Sequence, residues 1–153
     1  MKLVLLADND SAIPQIAKWY NDEWGSIGEG RSTQELQLKL KAYLNHDKLP
    51  LIILAQDGDE LLGAAQLRFH EMDTYPEREH WLGGVYVASQ HRGKGIANNL
   101  VSAIIDKAKE LGVNSINLQT QDSTGGLYTR LGWQPVEQVT YHGIEVQVME
   151  KLL

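Results

Sequence analysis

Residues 85–97 read Val-Tyr-Val-Ala-Ser-Gln-His-Arg-Gly-Lys-Gly-Ile-Ala, an apolar run followed by two glycines, two cations and the start of a second apolar stripe. A strand that passes through such a loop onto a helix builds an anion cradle. The first amides of the helix lack intrahelical acceptors and point at one spot, where the helix dipole also favours negative charge. Gly93 and Gly95 supply left-handed backbone or a close approach of the chain to the anion, and Arg92 and Lys94 add positive charge. Spacing excludes two phosphate loops. Walker A needs four residues between its glycines and a Gly-Lys-Ser/Thr ending, and the dinucleotide loop needs a third glycine where Asn98 stands. The same residues also suit a plain strand–helix connection whose glycines only cap and turn the chain.

The elements that must position this loop follow from the hydropathy pattern. Ile96, Ala97, Leu100, Val101, Ile104, Ile105, Ala108 and Leu111 form a helical stripe that Gly112 stops. Residues 3–6 form a first strand, too short for a signal peptide or a membrane span. Asp8, Asp10 and Ser11 offer caps to a helix with Pro14 in its first turn and Ile13, Ile16, Ala17, Tyr20 and Trp24 on its face; Gly25, Gly28 and Gly30 end it. Ser32 and Glu35 form a capping box for a helix whose face is Leu36, Leu40, Tyr43 and Leu44.

Residues 51–56 and 61–69 read as a hairpin through Asp57-Gly58, and residues 70–80 as a polar loop. A buried strand over 82–87 contains Gly83 and Gly84, where a bulge is expected. A strand over 115–120, a short helix about 124–131 and a hairpin turning at His142-Gly143 complete the chain. With no linker or repeat, residues 1–153 are expected to form one α+β domain, a mixed sheet flanked by helices.

Composition narrows the chemistry. Cysteine is absent, which excludes disulfides, thiolate metal sites and cysteine nucleophiles. The five histidines (His46, His70, His80, His91, His142) show no i, i+4 pairing, so no metal is expected. A net charge of −6 argues against nucleic acid as a partner. Residues 1–75 carry 12 acidic and 7 basic side chains, residues 76–153 carry 8 and 7, so a cationic ligand is expected at the first half. A cytoplasmic protein that does not engage a membrane is the expectation.

Two segments carry a resemblance to a known family. Gln90-x-x-Gly93-x-Gly95 resembles the acyl-CoA loop of the GNAT N-acetyltransferase superfamily, and Leu127-Tyr128-Thr129-Arg130-Leu131-Gly132-Trp133 is similar to that family's Leu-Tyr-x-x-x-Gly-aromatic segment. The order of elements is similar as well. The resemblance implies the GNAT acyl-CoA N-acyltransferase fold and acetyl-CoA as co-substrate. Amides of Arg92, Gly93, Lys94, Gly95, Ile96 and Ala97 would hold its pyrophosphate, and the main chain of Val85, Tyr86 and Val87 its pantetheine arm.

Tyr128, beside the cofactor, would protonate the leaving thiolate; a phenol of pKa ~10 stays protonated at neutral pH yet can supply a thiolate of pKa ~8.5. Many family members carry a Glu or His base on the strand before the loop, at positions that align with Trp81 and Gly83, neither of which titrates. His80 and Glu79 are the nearest substitutes, then Glu71 and Asp73, with a water relay equally open. Asp122 would either orient a water or the amine or cap the short helix, and Trp19 and Trp24 either line an acceptor pocket or pack in the core. Direct transfer to a primary amine on a cationic small molecule or peptide is the resulting expectation. A non-catalytic acyl-CoA sensor is the alternative, and a homodimer stays open.

Overall fold

The computed structural model describes residues 1–25 and 32–153, so Gly28 and Gly30 lie outside the described residues. Its strands are β1 (Lys2–Leu5), β2 (Leu51–Asp57), β3 (Glu60–Phe69), β4 (His80–Val87), β5 (Ser115–Thr120), β6 (Gln134–Tyr141) and β7 (Ile144–Leu152). They form one sheet in the order β1-β2-β3-β4-β5-β7-β6, antiparallel except between β4 and β5. The helices are α1 (Ile13–Trp24), α2 (Thr33–Leu40), α3 (Ile96–Glu110) and α4 (Gly126–Arg130).

Turn chemistry fixes both hairpins. His142 and Gly143 adopt positive φ (50° and 77°) between the last paired residues Tyr141 and Ile144, the twist that a two-residue hairpin needs. The first hairpin turns one residue later than expected, at Gly58-Asp59, with Asp57 still paired to Glu60.

Alternation along β2 feeds a core on each face of the sheet. Leu51 and Ile53 pack toward Leu100, Val101 and Ile104 of α3, whereas Ile52 and Leu54 pack toward Ile16, Ala17 and Tyr20 of α1 and Leu40 of α2. Each fully buried Leu or Ile contributes about 1.5–3 kcal/mol, so the expected stripes are what fasten the helices to the sheet.

The N-terminal caps differ from expectation. Asp8 and Asp10 fall in short 3₁₀ turns, Leu6–Asp8 and Asp10–Ala12, and no side chain caps α1. Asp8 instead meets His46 at 2.7 Å, and Ser11 donates to Asn9 at 2.8 Å. Pro14 stands in the first turn of α1 as expected. The Ser32 cap forms, with the Glu35 amide donating to its Oγ at 3.2 Å.

The segment between β3 and β4 is anchored rather than solvated. Met72 and Tyr75 are buried with Trp81, Val146 and Val148. Arg78 donates to Asn117 Oδ1 at 2.8 Å and Glu150 Oε2 at 2.7 Å, while Asn117 donates onward to the His80 carbonyl at 3.0 Å. Tyr141 donates to Asp73 at 3.0 Å and Tyr75 to Glu137. These bonds carry β4 back to His80, two residues before its expected start. Among the described residues no helix is long and apolar enough to cross a membrane.

Candidate active site

The site begins at a defect in the sheet. Gln66 pairs with Gly83 and Ala64 with Tyr86, so Ala65 alone faces both Gly84 and Val85. The expected bulge is there, with Gly84 at φ 53° and its carbonyl accepting from Tyr20 Oη at 2.7 Å. Beside it β4 and β5 pair at Trp81 and Asn117, and beyond that pair residues 83–85 and 118–121 border a cavity of about 780 Å³. A second cavity of about 410 Å³ adjoins the end of β4.

Val85, Tyr86, Val87, Arg92, Gly93, Gly95, Ile96 and Ala97 line the second cavity, as expected of a cofactor cradle. Gly93 and Gly95 hold φ of 80° and 79°, and a Cβ on either would meet no atom within 4 Å. Glycine is therefore needed for the backbone, and open space lies in front of it. Gly95 caps α3 without a side-chain bond, which leaves the first amides of a 15-residue helix free for an acceptor in the cavity. These features fit a diphosphate, and the cradle is the part of the chain suited to acetyl-CoA.

The two cations of the loop are used differently. Arg92 folds back, its Nε donating to the Val87 carbonyl at 2.9 Å and its guanidinium lying 5.3 Å from the centre of the Tyr86 ring. It clamps the end of β4 and takes up a carbonyl expected to serve the pantetheine arm. Lys94 lies outside the cavity, 3.2 Å from His91 Nδ1. Positive charge at the cradle comes also from Arg130, which sequence reasoning missed although it stands two residues after Tyr128.

Tyr128 lines the larger cavity, one residue from Leu127 in the smaller one. Its ring packs edge-on against Trp133 with centroids 6.0 Å apart. Burial, reinforced by the negative field of Glu71, pushes its hydroxyl up to about 12. The group is a proton donor throughout the neutral range.

Glu71 is one of the carboxylates that the sequence offered in place of a strand base. It lines the same cavity, accepts from Gln119 Nε2 at 3.2 Å, and would stand 2.3 Å from a Cβ on Gly83. Its side chain thus occupies the space that a residue at 83 would fill. Burial raises its pKa above the ordinary carboxylate value, against the opposing influence of Arg68, Gln119 and Lys39.

His80 and Glu79 line neither cavity. His80 starts β4 opposite Phe69, three residues or about 10 Å from Gly83. Its ring lies 5.8 Å from that of Phe69 and 3.6 Å from the Glu79 carboxylate, which is itself exposed. Asp73 is held by Tyr141. Asp122 caps the turn before α4, accepting from the Thr124 amide at 2.9 Å and hydroxyl at 2.6 Å, and those bonds lower its pKa.

Trp24 lines the larger cavity, whereas Trp19 stacks on Tyr86 at 5.1 Å. Among the described residues the charged side chains lining the larger cavity are Glu23, Glu71, Lys39 and Arg68, two of each sign, so the acidic excess of the first half is not seen there. Among the described residues no group of three or more His, Asp or Glu could hold a metal ion.

Known proteins share this fold. A human N-acetyltransferase 8B is 28% identical over 92 residues, a stretch covering 58% of this chain and 40% of that relative. The structure of a ribosomal-protein-alanine N-acetyltransferase from Brucella melitensis superposes with a TM-score of 0.81 at 18% identity, covering 100% of both chains. An aminoglycoside 6'-N-acetyltransferase complexed with coenzyme A superposes with a TM-score of 0.76 at 17% identity, covering 99% of this chain and 97% of the other. The profile of the Acetyltransferase (GNAT) family matches residues 13–133, most of the chain, and to that family this protein belongs.

Proposed function

We propose that this protein transfers an acetyl group from acetyl-CoA directly to a primary amine. The observation that carries the reading is the meeting of Glu71 and Tyr128 in one cavity at the β4 bulge, next to the glycine cradle. The bound co-substrate supplies an acetyl thioester, and this chain's residues supply the rest. Amides at the start of α3 hold the diphosphate, and the bulged main chain of Val85 and Tyr86 orients the pantetheine arm. Arg92 keeps that strand end in place.

The acceptor enters as an ammonium of pKa ~10, so a base must take a proton before nitrogen can attack. Glu71 fits the role because burial raises its affinity for that proton. The amine lone pair then forms the C–N bond as the C–S bond breaks. Tyr128 gives its proton to the departing sulfur, and the second proton of the nitrogen restores the phenol. Glu71 returns its proton to solvent, so the net products are amide, free thiol and one proton. With no cysteine in the chain, no thioester enzyme intermediate is required. Glu71 also removes the main support for a non-catalytic sensor, which was the missing base on β4.

A turnover screen of primary amines with acetyl-CoA, reading released thiol, tests the proposal. Thiol release with at least one amine, together with stoichiometric amide, is the expected result. A panel that gives no release above spontaneous hydrolysis would overturn it.

A further inference from the structure

Helix α1 reaches across to β4 at the bulge. Tyr20, 6% exposed, donates from its hydroxyl to the Gly84 carbonyl at 2.7 Å. Gly84 holds φ 53°, and a Cβ on it would stand 2.7 Å from Tyr20 Oη and 2.7 Å from Gln66 Nε2. Glycine is thus required at 84 for two reasons: the backbone is left-handed, and the hydroxyl fills the space of a side chain. Gln66 hydrogen-bonds the same hydroxyl. Burial pushes the Tyr20 pKa well above the ordinary phenol range, so the group remains a donor at every working pH.

The bond lies one peptide away from the passage between cofactor and acceptor. Among the described residues, Glu23 and Val85 line both cavities. An acetyl group carried from the glycine cradle to an amine beside Glu71 must cross at that junction. C=O and N–H of a planar trans peptide point opposite ways, so holding the Gly84 carbonyl also sets the direction of the Val85 N–H. A bulge interrupts the ladder that would otherwise fix that plane. Helix α1 grips β4 again just beyond Val85. Trp19 stacks on Tyr86 with centroids 5.1 Å apart, and Trp24 meets the same ring edge-on at 6.3 Å.

We propose that Tyr20 is a positioning residue for acetyl transfer: its hydroxyl fixes the Gly84–Val85 peptide and, through it, the orientation of the thioester carbonyl at the junction of the two cavities. The inference rests on the acetyl-transfer reading and adds a residue that acts through the main chain. Glu71 and Tyr128 move protons, whereas Tyr20 governs where the acetyl carbon lies between them. A misplacement of about 1 Å costs about a hundredfold in rate.

Tyr20→Phe keeps the ring and removes only the hydroxyl. With both substrates saturating, kcat should fall about 10- to 100-fold, while the calorimetric Kd for acetyl-CoA stays within about threefold of native. Acetyl-CoA labelled with carbon-13 at the thioester carbonyl adds a spectroscopic signature. In the native protein the infrared band of the bound carbonyl should be narrow and displaced from its position in water. In Tyr20→Phe it should broaden and return toward that position. Ile16→Val, a packing change at a fully buried residue of the same helix, is the control. It should lower Tm without moving kcat or the band, all measured at a temperature where each protein is folded.

A native kcat or a native band in Tyr20→Phe would overturn the inference and leave acetyl transfer standing. So would a loss of kcat in Ile16→Val as large as that in Tyr20→Phe, or a native band identical to that of acetyl-CoA in water. The band needs no acceptor, which separates the two kinds of failure. If no amine is turned over, a band that shifts in Tyr20→Phe alone would keep the positioning role while the acetyl-transfer reading fails. An unshifted band and no turnover would sink both.

Discussion

The carboxylate of Glu71 stands where a side chain on Gly83 would have to go, since a Cβ there would lie 2.3 Å from Oε1. The strand has no titrating group at that point, and the preceding segment delivers one into the gap. Gly83→Ala should therefore displace Glu71 while leaving the acyl-CoA cradle intact. We expect kcat to fall about 10- to 100-fold with little change in the Kd for acetyl-CoA, measured by steady-state kinetics and calorimetry. An unchanged kcat would show that the position of Glu71 is immaterial.

Glu71→Gln keeps the acceptor for Gln119 but cannot take a proton. Turnover should fall about 100-fold or more. In the native protein kcat/KM should fall as pH drops through the raised Glu71 pKa, and the variant should lack that limb. The stability effect has the opposite sense. A buried carboxyl with a raised folded-state pKa favours folding below its unfolded pKa, and that contribution is lost as pH rises through the folded pKa. The neutral amide escapes this loss, so the variant should equal or exceed the native Tm at neutral pH, and its advantage should shrink on acidification.

Tyr128→Phe removes the acid without opening a cavity against Trp133. A drop in kcat of about 100-fold or more, with acetyl-CoA affinity nearly unchanged, is the expected outcome. Because the hydroxyl is pushed up to about 12, the native enzyme should show no loss of activity between pH 7 and 10 attributable to this group. A Phe variant with native kcat would assign the proton donor elsewhere.

Gly95→Ala puts a side chain at φ 79°, a conformation that costs about 1–2 kcal/mol, on a residue that lines the cradle. Acetyl-CoA should bind at least about tenfold more weakly. Gly112→Ala, at φ 80° just beyond the other end of α3 and also facing open space, is the matched control. It should show a similar fall in Tm with no change in Kd. Equal affinity losses in the two variants would mean that the cradle contributes nothing specific.

Much of this was readable in the residues alone because it is local. The stripe from Ile96 to Ala108, the left-handed turn at His142-Gly143 and the glycine cradle each depend on neighbours within a few positions. The glycines at 83 and 84 likewise announced the bulge, which forms at Gly84 and Val85. Tyr128 was recognisable through its resemblance to a family segment, and the fold class through the order of elements.

The charged partners in the cavity were not readable, because long-range contacts decide where they sit. Residues 70–79 look polar, yet His70 adopts φ 44°, its amide donates to the Glu79 carbonyl at 2.8 Å, and Met72 and Tyr75 are pulled into a core completed by Val146 and Val148. That path turns Glu71 inward and leaves Glu79 outside, although both are glutamates of one loop. His80 sits outside both cavities because β4 begins there, paired with Phe69. The half-chain charge imbalance likewise could not show that Glu23, Glu71, Lys39 and Arg68 line one cavity. Sequence by itself determined the frame and the anion cradle, whose instructions are written in backbone conformation and short-range periodicity. Only the tertiary structure brought Glu71 and Tyr128 to one cavity, because burial and partnership belong to the packed chain.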